Sequence, residues 1–528
     1  MWNNNQGFFA LIINNKRGCC TVWKGDYTAN TNSIKTMMKK IIIATVIAFT
    51  LCACGHSKQG LTFNPNDGEE AELTMPDGEV VRYTAYEHLY YVRNVEDTAY
   101  QYLNVYVPEG ATRTTPILLR TYIGGYMSAK ARRPQAGDAT GRALKEGYVV
   151  VIPGSRGRDA MQDNVYIGRA PKGLLDLKAA IRYLRLFDRE MAGNAERIII
   201  DGTSAGGAMS ALVGATGNHP AYDEMLSDMG AAKESDDVYA AVCFCPITDL
   251  EHADMVYEWL YNGTPSRQRS AQQLPISNQL KEQFPNYIND LKLKDWDGNE
   301  VTADNYMDLL RRELIRSAQT AKNAGADISD TLGFAFSQET MGGMPPINGG
   351  KKPALPMMQA PQPQRGEYVI GLDMQRYLNY VASTQPLKTA PAFDTKGVVG
   401  QHASAENELF GGTDGSSMNF TVYSAYKNGK DLPKEVVDNV YLMNPMNFIG
   451  IEENEIGKNK KENKHAVAQH WYIRHGARDR DTGFPIPLNL ALKLNEAGCD
   501  VNFLFAWNRG HSGDYALDEL FGWMKSIL

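Results

Sequence analysis

The pentapeptide Gly202-Thr203-Ser204-Ala205-Gly206 constrains the fold of this chain more than any other stretch. It directly follows the short β-branched run Arg197 to Asp201, and precedes the small-residue stretch Gly207 to Gly214, which reads as a helix. That order of strand, turn and helix is the setting in which G-x-S-x-G forms a sharp nucleophile elbow. Cβ atoms at the flanking positions would clash with the neighbouring strand and helix, so glycine is needed there and the serine hydroxyl stands alone at the sheet edge.

The elements around the elbow fit one architecture. Tyr102 to Pro108, Pro116 to Tyr122, Tyr148 to Pro153 and Tyr239 to Cys245 read as strands, and Asp176 to Phe187 has apolar residues at helical spacing. Repetition of strand, helix and strand predicts a mostly parallel central sheet with helices on both faces, the α/β-hydrolase fold. After Cys245 the alternation stops for roughly two hundred residues, the size of a large lid or cap insertion. That region holds the charged helical stretch Ala303 to Lys322 and a Met/Pro/Gly-rich loop, Met341 to Gly366. Alternation resumes with a strand at His470 to His475, a helix at Pro487 to Glu496 stopped by Gly498, and a strand at Val501 to Trp507. A helix at Leu517 to Ile527 ends the chain. The expected core is therefore residues 78–263 and 466–528, with the lid at 264–465; with 528 residues, 43% of them apolar, the chain can bury such a core. Gly60 to Asp77 is polar and punctuated by Gly and Pro, so residues 55–77 read as a tether.

Charge and cysteine usage exclude several functions. A formal net charge of −7 without a long basic run argues against nucleic acid, because neutralising phosphates needs clustered Lys and Arg. The basic stretch near Lys458 to Lys464 reads as a solvated loop. Of the seven cysteines, Cys19, Cys20, Cys52 and Cys54 lie in the N-terminal leader, which leaves Cys243, Cys245 and Cys499 and no disulfide framework. Cys243 and Cys245 are alternate residues of an apolar run and are expected to face one core from a strand. No metal-ligand spacing is present, and neither a cofactor nor an obligate protein partner is implied.

The leader carries its own signal. Met38-Lys39-Lys40 is a short cationic start, Ile41 to Leu51 an apolar stretch, and Leu51-Cys52-Ala53-Cys54 a small-residue cleavage site ending in Cys, which resembles a bacterial lipoprotein signal. The apolar stretch is shorter than the about 20 residues that a membrane-spanning helix needs. The resemblance implies an exported protein held to a bacterial membrane through a lipid on Cys54, with residues 1–54 as leader and signal. Because such signals begin at the initiator, Met37 or Met38 is the expected start and residues 1–37 are expected to be untranslated.

A serine hydroxyl is a weak nucleophile until a base takes its proton, so Ser204 needs a histidine from elsewhere. His511 lies in the loop Asn508 to Asp514 after the last strand, where this fold delivers its base. His475 ends a strand ahead of any acidic partner and reads as a satisfied structural group. The acid must follow a strand and fall between Ser and His, which Asp479 and Asp481 both do; spacing does not choose between them. The oxyanion formed in acyl transfer needs two N–H donors, each contributing about 3 kcal/mol. Ala205 supplies one, and the turn Tyr122-Ile123-Gly124-Gly125-Tyr126 the other, from Gly124 or Gly125.

Gly202 to Ala208, Cys245-Pro246-Ile247-Thr248-Asp249-Leu250-Glu251-His252-Ala253-Asp254, Ile473-Arg474-His475-Gly476 through Asp481, and Trp507 through Tyr515 together resemble the bacterial tannases, tannin acyl hydrolases that cleave gallate esters. The resemblance implies Asp479 as triad acid and Asp481 as a ligand of galloyl hydroxyls. It further implies a lid lysine and glutamate on the substrate ring. Leu387-Lys388-Thr389-Ala390-Pro391-Ala392-Phe393-Asp394 and Glu406-Asn407-Glu408-Leu409-Phe410-Gly411 look like those segments, pointing to Lys388 and to Glu406, with Glu408 as the alternative. The expected partner is a small aromatic ester. Other readings are a feruloyl or general carboxylesterase with the same triad, a prolyl-type peptidase, disfavoured because too little chain precedes Tyr102 for the usual β domain, and a non-catalytic binding module.

Overall fold

The computed structural model describes residues 60–337, 368–398, 400–451 and 464–528. The leader with Cys54, the expected loop Met341 to Gly366 and all of the basic stretch but Lys464 lie outside the described residues. Continuous apolar runs build the centre of the fold. Val149–Pro153 and Ala240–Phe244 are buried at every position, as expected of parallel strands covered on both faces.

One sheet contains β1 (Glu69–Thr74), β2 (Val80–Tyr90), β3 (Tyr102–Pro108), β4 (Pro116–Arg120), β5 (Val149–Pro153), β6 (Asn194–Thr203), β7 (Ala240–Phe244), β8 (His470–Gly476) and β9 (Asp500–Ala506). Their spatial order is β1-β2-β3-β5-β4-β6-β7-β8-β9. The first three strands pair antiparallel, as does β3 with β5; every pairing from β5 to β9 is parallel. Parallel neighbours need crossovers, and helices supply them: α1 (Ala139–Lys145), α2 (Lys172–Leu186), α3 (Ala205–Ala215), then α4 (Leu250–Tyr261), α5 (Tyr306–Asn323), α6 (Met374–Thr384), α7 (Ala405–Leu409) and α8 (Pro485–Glu496); α9 (Leu517–Ile527) follows the last strand. Ala139 and Leu144 of α1 join Leu520, Phe521 and Met524 of α9 in one apolar cluster, while α2, α3 and α8 bury theirs in the other. Helices thus cover both faces of an α/β-hydrolase sheet, and the described residues between β7 and β8 add no strand to it.

The expected tether is corrected by β1, which pairs with β2 from Glu69↔Ala85 to Thr74↔Val80. Glu69 to Thr74 is an edge strand with no buried residue: Ala71 and Leu73 alone turn partly toward the core, too few alternations to read as a strand. Cys243 is a core residue of β7, whereas Cys245 has already left the strand, with φ 45, and takes no part in a shared strand face. Among the described residues no helix is long and apolar enough to cross a membrane.

The start of α4 is tied down by charge. Asp249, almost fully buried, accepts from Asn444 Nδ2 at 2.8 Å and from Tyr287 Oη, and its Oδ1 lies 2.6 Å from His252 Nδ1. Burial works against a charged His252, but Asp249 and then Glu251 outweigh it and raise the imidazole to about 9. A histidine whose folded value exceeds its unfolded 6.5 stabilises fully below pH 6.5, and that stability is lost as pH rises through about 9. Wild type should therefore melt above a His252→Gln variant at pH 6, with the gap closing by pH 9 to 10 in thermal scans; a gap independent of pH would contradict the assignment.

Candidate active site

Because the strands from β5 to β9 run parallel, their C-terminal ends share one edge, and the loops leaving that edge converge. Ser204 follows β6 and caps α3 with φ 63 and ψ −125, a sparsely populated conformation that costs about 1–3 kcal/mol. Its neighbours hold it there. Ser204 N–H donates to Phe244 O on β7 at 2.9 Å, and Gly206 N–H to Ile123 O at 2.9 Å. A Cβ on Gly202 would stand 2.3 Å from Gly206 O, and one on Gly207 2.6 Å from Phe244 O, so the turn tolerates no side chain at either place.

The histidine loop after β9 and the acid loop after β8 meet at this serine. His511 Nε2 lies 2.7 Å from Ser204 Oγ, and His511 Nδ1 lies 2.7 Å from Asp479 Oδ2. Asp479 is fully buried, and its Oδ1 accepts the Asp481 N–H at 2.8 Å. Burial works to raise its carboxyl, but His475, the His511 contact and that N–H hold it at about 2. Above about pH 4 His475 is neutral, so near neutral pH the anion rests on His511 and the backbone. His511 itself is raised: burial opposes the charge, Asp479 and Asp481 favour it, and the nearby Lys388 ammonium opposes it.

His475 corrects an expectation. It is fully buried between the rings of Phe484 and Phe505, and neither ring nitrogen has a hydrogen-bond partner among the described residues; Nδ1 stops 3.6 Å from Asp479 Oδ2. Desolvation lowers it to about 4. It is structural without being satisfied.

Asp481 lies 3.8 Å from His511 Nδ1 and pairs with Arg480 at 2.8 Å. Lys388 rests its ammonium over the Phe393 ring at 3.8 Å, with its own backbone fixed by Tyr257 Oη and Arg267 Nε. Glu406 is close enough to Tyr126, beside the Gly124-Gly125 pair, for its charge to disfavour ionisation of that phenol. Glu408 is instead taken by Arg158.

Sequence reasoning missed what holds these lid segments. Buried Asp254 on α4 accepts the N–H groups of Ala392 and Phe393 at 2.7 Å and of Asp394 at 3.1 Å, which fixes the segment after Lys388. Asp394 accepts Asn407 Nδ2 at 2.7 Å, tying that segment to α7 and Glu406 across the long spacer between them. Asp254 stood in a tannase-like stretch, so the signal was present, but a carboxylate that binds backbone N–H groups leaves no pattern at its partners.

Ala205 is the first residue of α3, where a helix leaves its N–H without an intrahelical acceptor. Gly124 and Gly125 lie exposed beside it, and a Cβ on either would meet nothing within 4 Å. Ligand-type side chains gather at Asp249, Glu251 and His252, at Asp479, Asp481 and His511, and at Cys245, His475 and Asp479. In the first two groups the histidine already binds an aspartate, while Glu251 accepts from Asn444 and Asp481 pairs with Arg480; in the third, burial keeps the Cys245 thiol protonated.

Fold and strand-end geometry define an α/β hydrolase. The family model described as BD-FAE matches residues 103–289, and no curated protein matches the chain. Solved structures align over most of it. A Fusobacterium nucleatum tannase is 35% identical, with 88% of this chain and 99% of that chain covered and a TM-score of 0.75. A Lactobacillus plantarum tannin acyl hydrolase is 33% identical, with 88% and 98% covered and a TM-score of 0.74. A tannin acyl hydrolase in complex with ethyl gallate is 34% identical, again with 88% and 98% covered and a TM-score of 0.74. The chain belongs to the bacterial tannase family, and it is a carboxylic ester hydrolase.

Proposed function

We propose that the protein hydrolyses galloyl esters, such as simple gallates and hydrolysable tannins, through an acyl-enzyme on Ser204. The observation that carries this reading is the continuous relay from Ser204 Oγ through His511 to the buried Asp479, with 2.7 Å at each step. His511 takes the serine proton as the hydroxyl attacks the ester carbonyl, then returns it to the leaving alcohol; Asp479 fixes the tautomer and stabilises the imidazolium. Ala205 N–H and Gly124 N–H receive the oxyanion. Water then repeats the attack on the acyl-enzyme and frees the acid.

On the acyl side, phenolic hydroxyls donate to the Asp481 and Glu406 carboxylates, and the Lys388 ammonium favours the electron-rich phenolic oxygen. Support for that ring chemistry comes from the likeness to a tannin acyl hydrolase solved with ethyl gallate. We also propose that the protein is exported and carries a lipid on Cys54. Labelled palmitate should enter the wild type in a bacterial host and fail to enter Cys54→Ser; equal labelling would discard the anchor.

Methyl gallate should be turned over, and Ser204→Ala should abolish turnover of every ester tested. Methyl ferulate turned over in place of the gallate would keep the relay and discard the roles of Asp481, Lys388 and Glu406. The pH profile offers a second check. His511 must be neutral to act as base and is raised above 6.5, so kcat/KM should climb with pH along a limb centred above 6.5. Lys388 lowers the His511 value and Asp481 raises it, so Lys388→Met should move the limb upward and Asp481→Asn downward. Limbs that coincide in all three proteins would remove His511 as the titrating base.

A further inference from the structure

The three segments assigned to the reaction leave the sheet from different strands: the Tyr122 to Tyr126 turn after β4, the elbow after β6 and the His511 loop after β9. Backbone pairing joins β4 to β6, but β7 and β8 separate β6 from β9. One side chain reaches all three. Arg120, the last residue of β4, is 4% exposed. Its Nη1 donates to Asp201 Oδ2 at 2.5 Å and its Nη2 to Asp514 Oδ2 at 2.7 Å. Asp201 lies on β6 just before the elbow, and Asp514 follows His511 in the same loop.

The loop needs such a tie. Asn508, Asp514 and Ala516 all hold left-handed backbone at φ 54 to 55, which L side chains adopt only when their surroundings impose it. Its seat on the elbow is also tight, since a Cβ on Gly513 would stand 2.0 Å from Thr203 Oγ1. A loop in that conformation, lifted by a small distance, would take His511 out of reach of Ser204.

We propose that Arg120 and Asp514 are positioning residues, whose ion pair holds the His511 loop in register with the Ser204 elbow and the adjoining Gly124-Gly125 turn. Neither group touches substrate; both act through His511. The inference rests on the relay proposed above.

Asp514 is the residue to vary, because its removal leaves the buried Arg120–Asp201 pair intact, whereas removing Arg120 would strand Asp201. Asp514→Ala should lower kcat for methyl gallate by about 10- to 100-fold, the loss expected of a slightly misplaced catalytic group. KM should stay within about twofold, since no substrate contact is lost. Asp514→Asn keeps an oxygen for Nη2 and should restore most of the rate. In a His511→Ala background, Asp514→Ala should cost nothing further on an activated nitrophenyl ester, because its effect passes through the missing imidazole. Unchanged kcat in Asp514→Ala, or the same loss with and without His511, would overturn the proposal. Retained turnover in Ser204→Ala would overturn the relay with it; a dead Ser204→Ala beside a fully active Asp514→Ala would overturn this inference alone.

Discussion

The backbone of Ser204 is the constraint on which the rest of the structure depends. At φ 63 and ψ −125 it aims the hydroxyl out of the sheet edge, and no local interaction rewards that conformation. Stability for it has to come from neighbours on both sides. Phe244 O on β7 takes the Ser204 N–H, Ile123 O after β4 takes the Gly206 N–H, and the absence of Cβ at Gly206 and Gly207 lets those carbonyls approach. The central strands run parallel and are paired in register, so they place both clamps on the same edge. Sheet order and site geometry are thus one requirement: without β4 and β7 flanking β6, the elbow would relax.

Away from the serine, the molecule holds its polar groups by pairing them under cover. Lys178 meets Asp236 at 2.7 Å, Arg156 meets Asp176 at 2.8 Å and Arg267 meets Glu258 at 2.5 Å, with every one of these side chains at 0% exposure. Such pairs add little net stability relative to apolar residues of the same shape, since desolvation cancels most of the attraction. Breaking one is expensive, so they fix which surfaces may meet. The lid is held in the same way, by Asp254 and Asp394 accepting backbone and amide N–H groups, and this fixes a segment without regular structure just after Lys388.

These two modes of construction explain what could be read from the sequence. Continuous apolar runs declared β5 and β7, and the glycine-flanked serine after a β-branched run declared the elbow, because in both cases the constraint is local. Asp479 and Asp481 could not be separated by spacing, since both fit the loop; they differ in that Asp479 is buried at 2.7 Å from His511 while Asp481 stays at 3.8 Å and pairs with Arg480. β1 was unreadable because its apolar side is only Ala71 and Leu73 in an otherwise polar edge strand. The Arg120–Asp514 contact joins positions 394 residues apart, and nothing near either residue announces the other. His475 failed for a different reason. A histidine is ordinarily expected to find a partner when buried, and this one is kept neutral by desolvation among aromatic rings.

The distribution of charge around the serine follows from the same contrast. Glu406 and Glu408 lie on one short helix, and sequence alone makes them equivalent. Arg158 claims Glu408, whereas Glu406 has no cationic partner among the described residues. Lys388 likewise has no carboxylate partner there, and its ammonium rests over the Phe393 ring. A protein that pairs its buried lysine with an aspartate elsewhere leaves these two charges half-exposed, Lys388 near enough to His511 and Glu406 near enough to Tyr126 to be felt there. Charges held in position by their backbones yet lacking an ion partner retain their hydrogen-bonding capacity for something else. An aromatic ring with several acidic hydroxyls, bound with its ester carbon over Ser204, is the shape and chemistry that would use both at once.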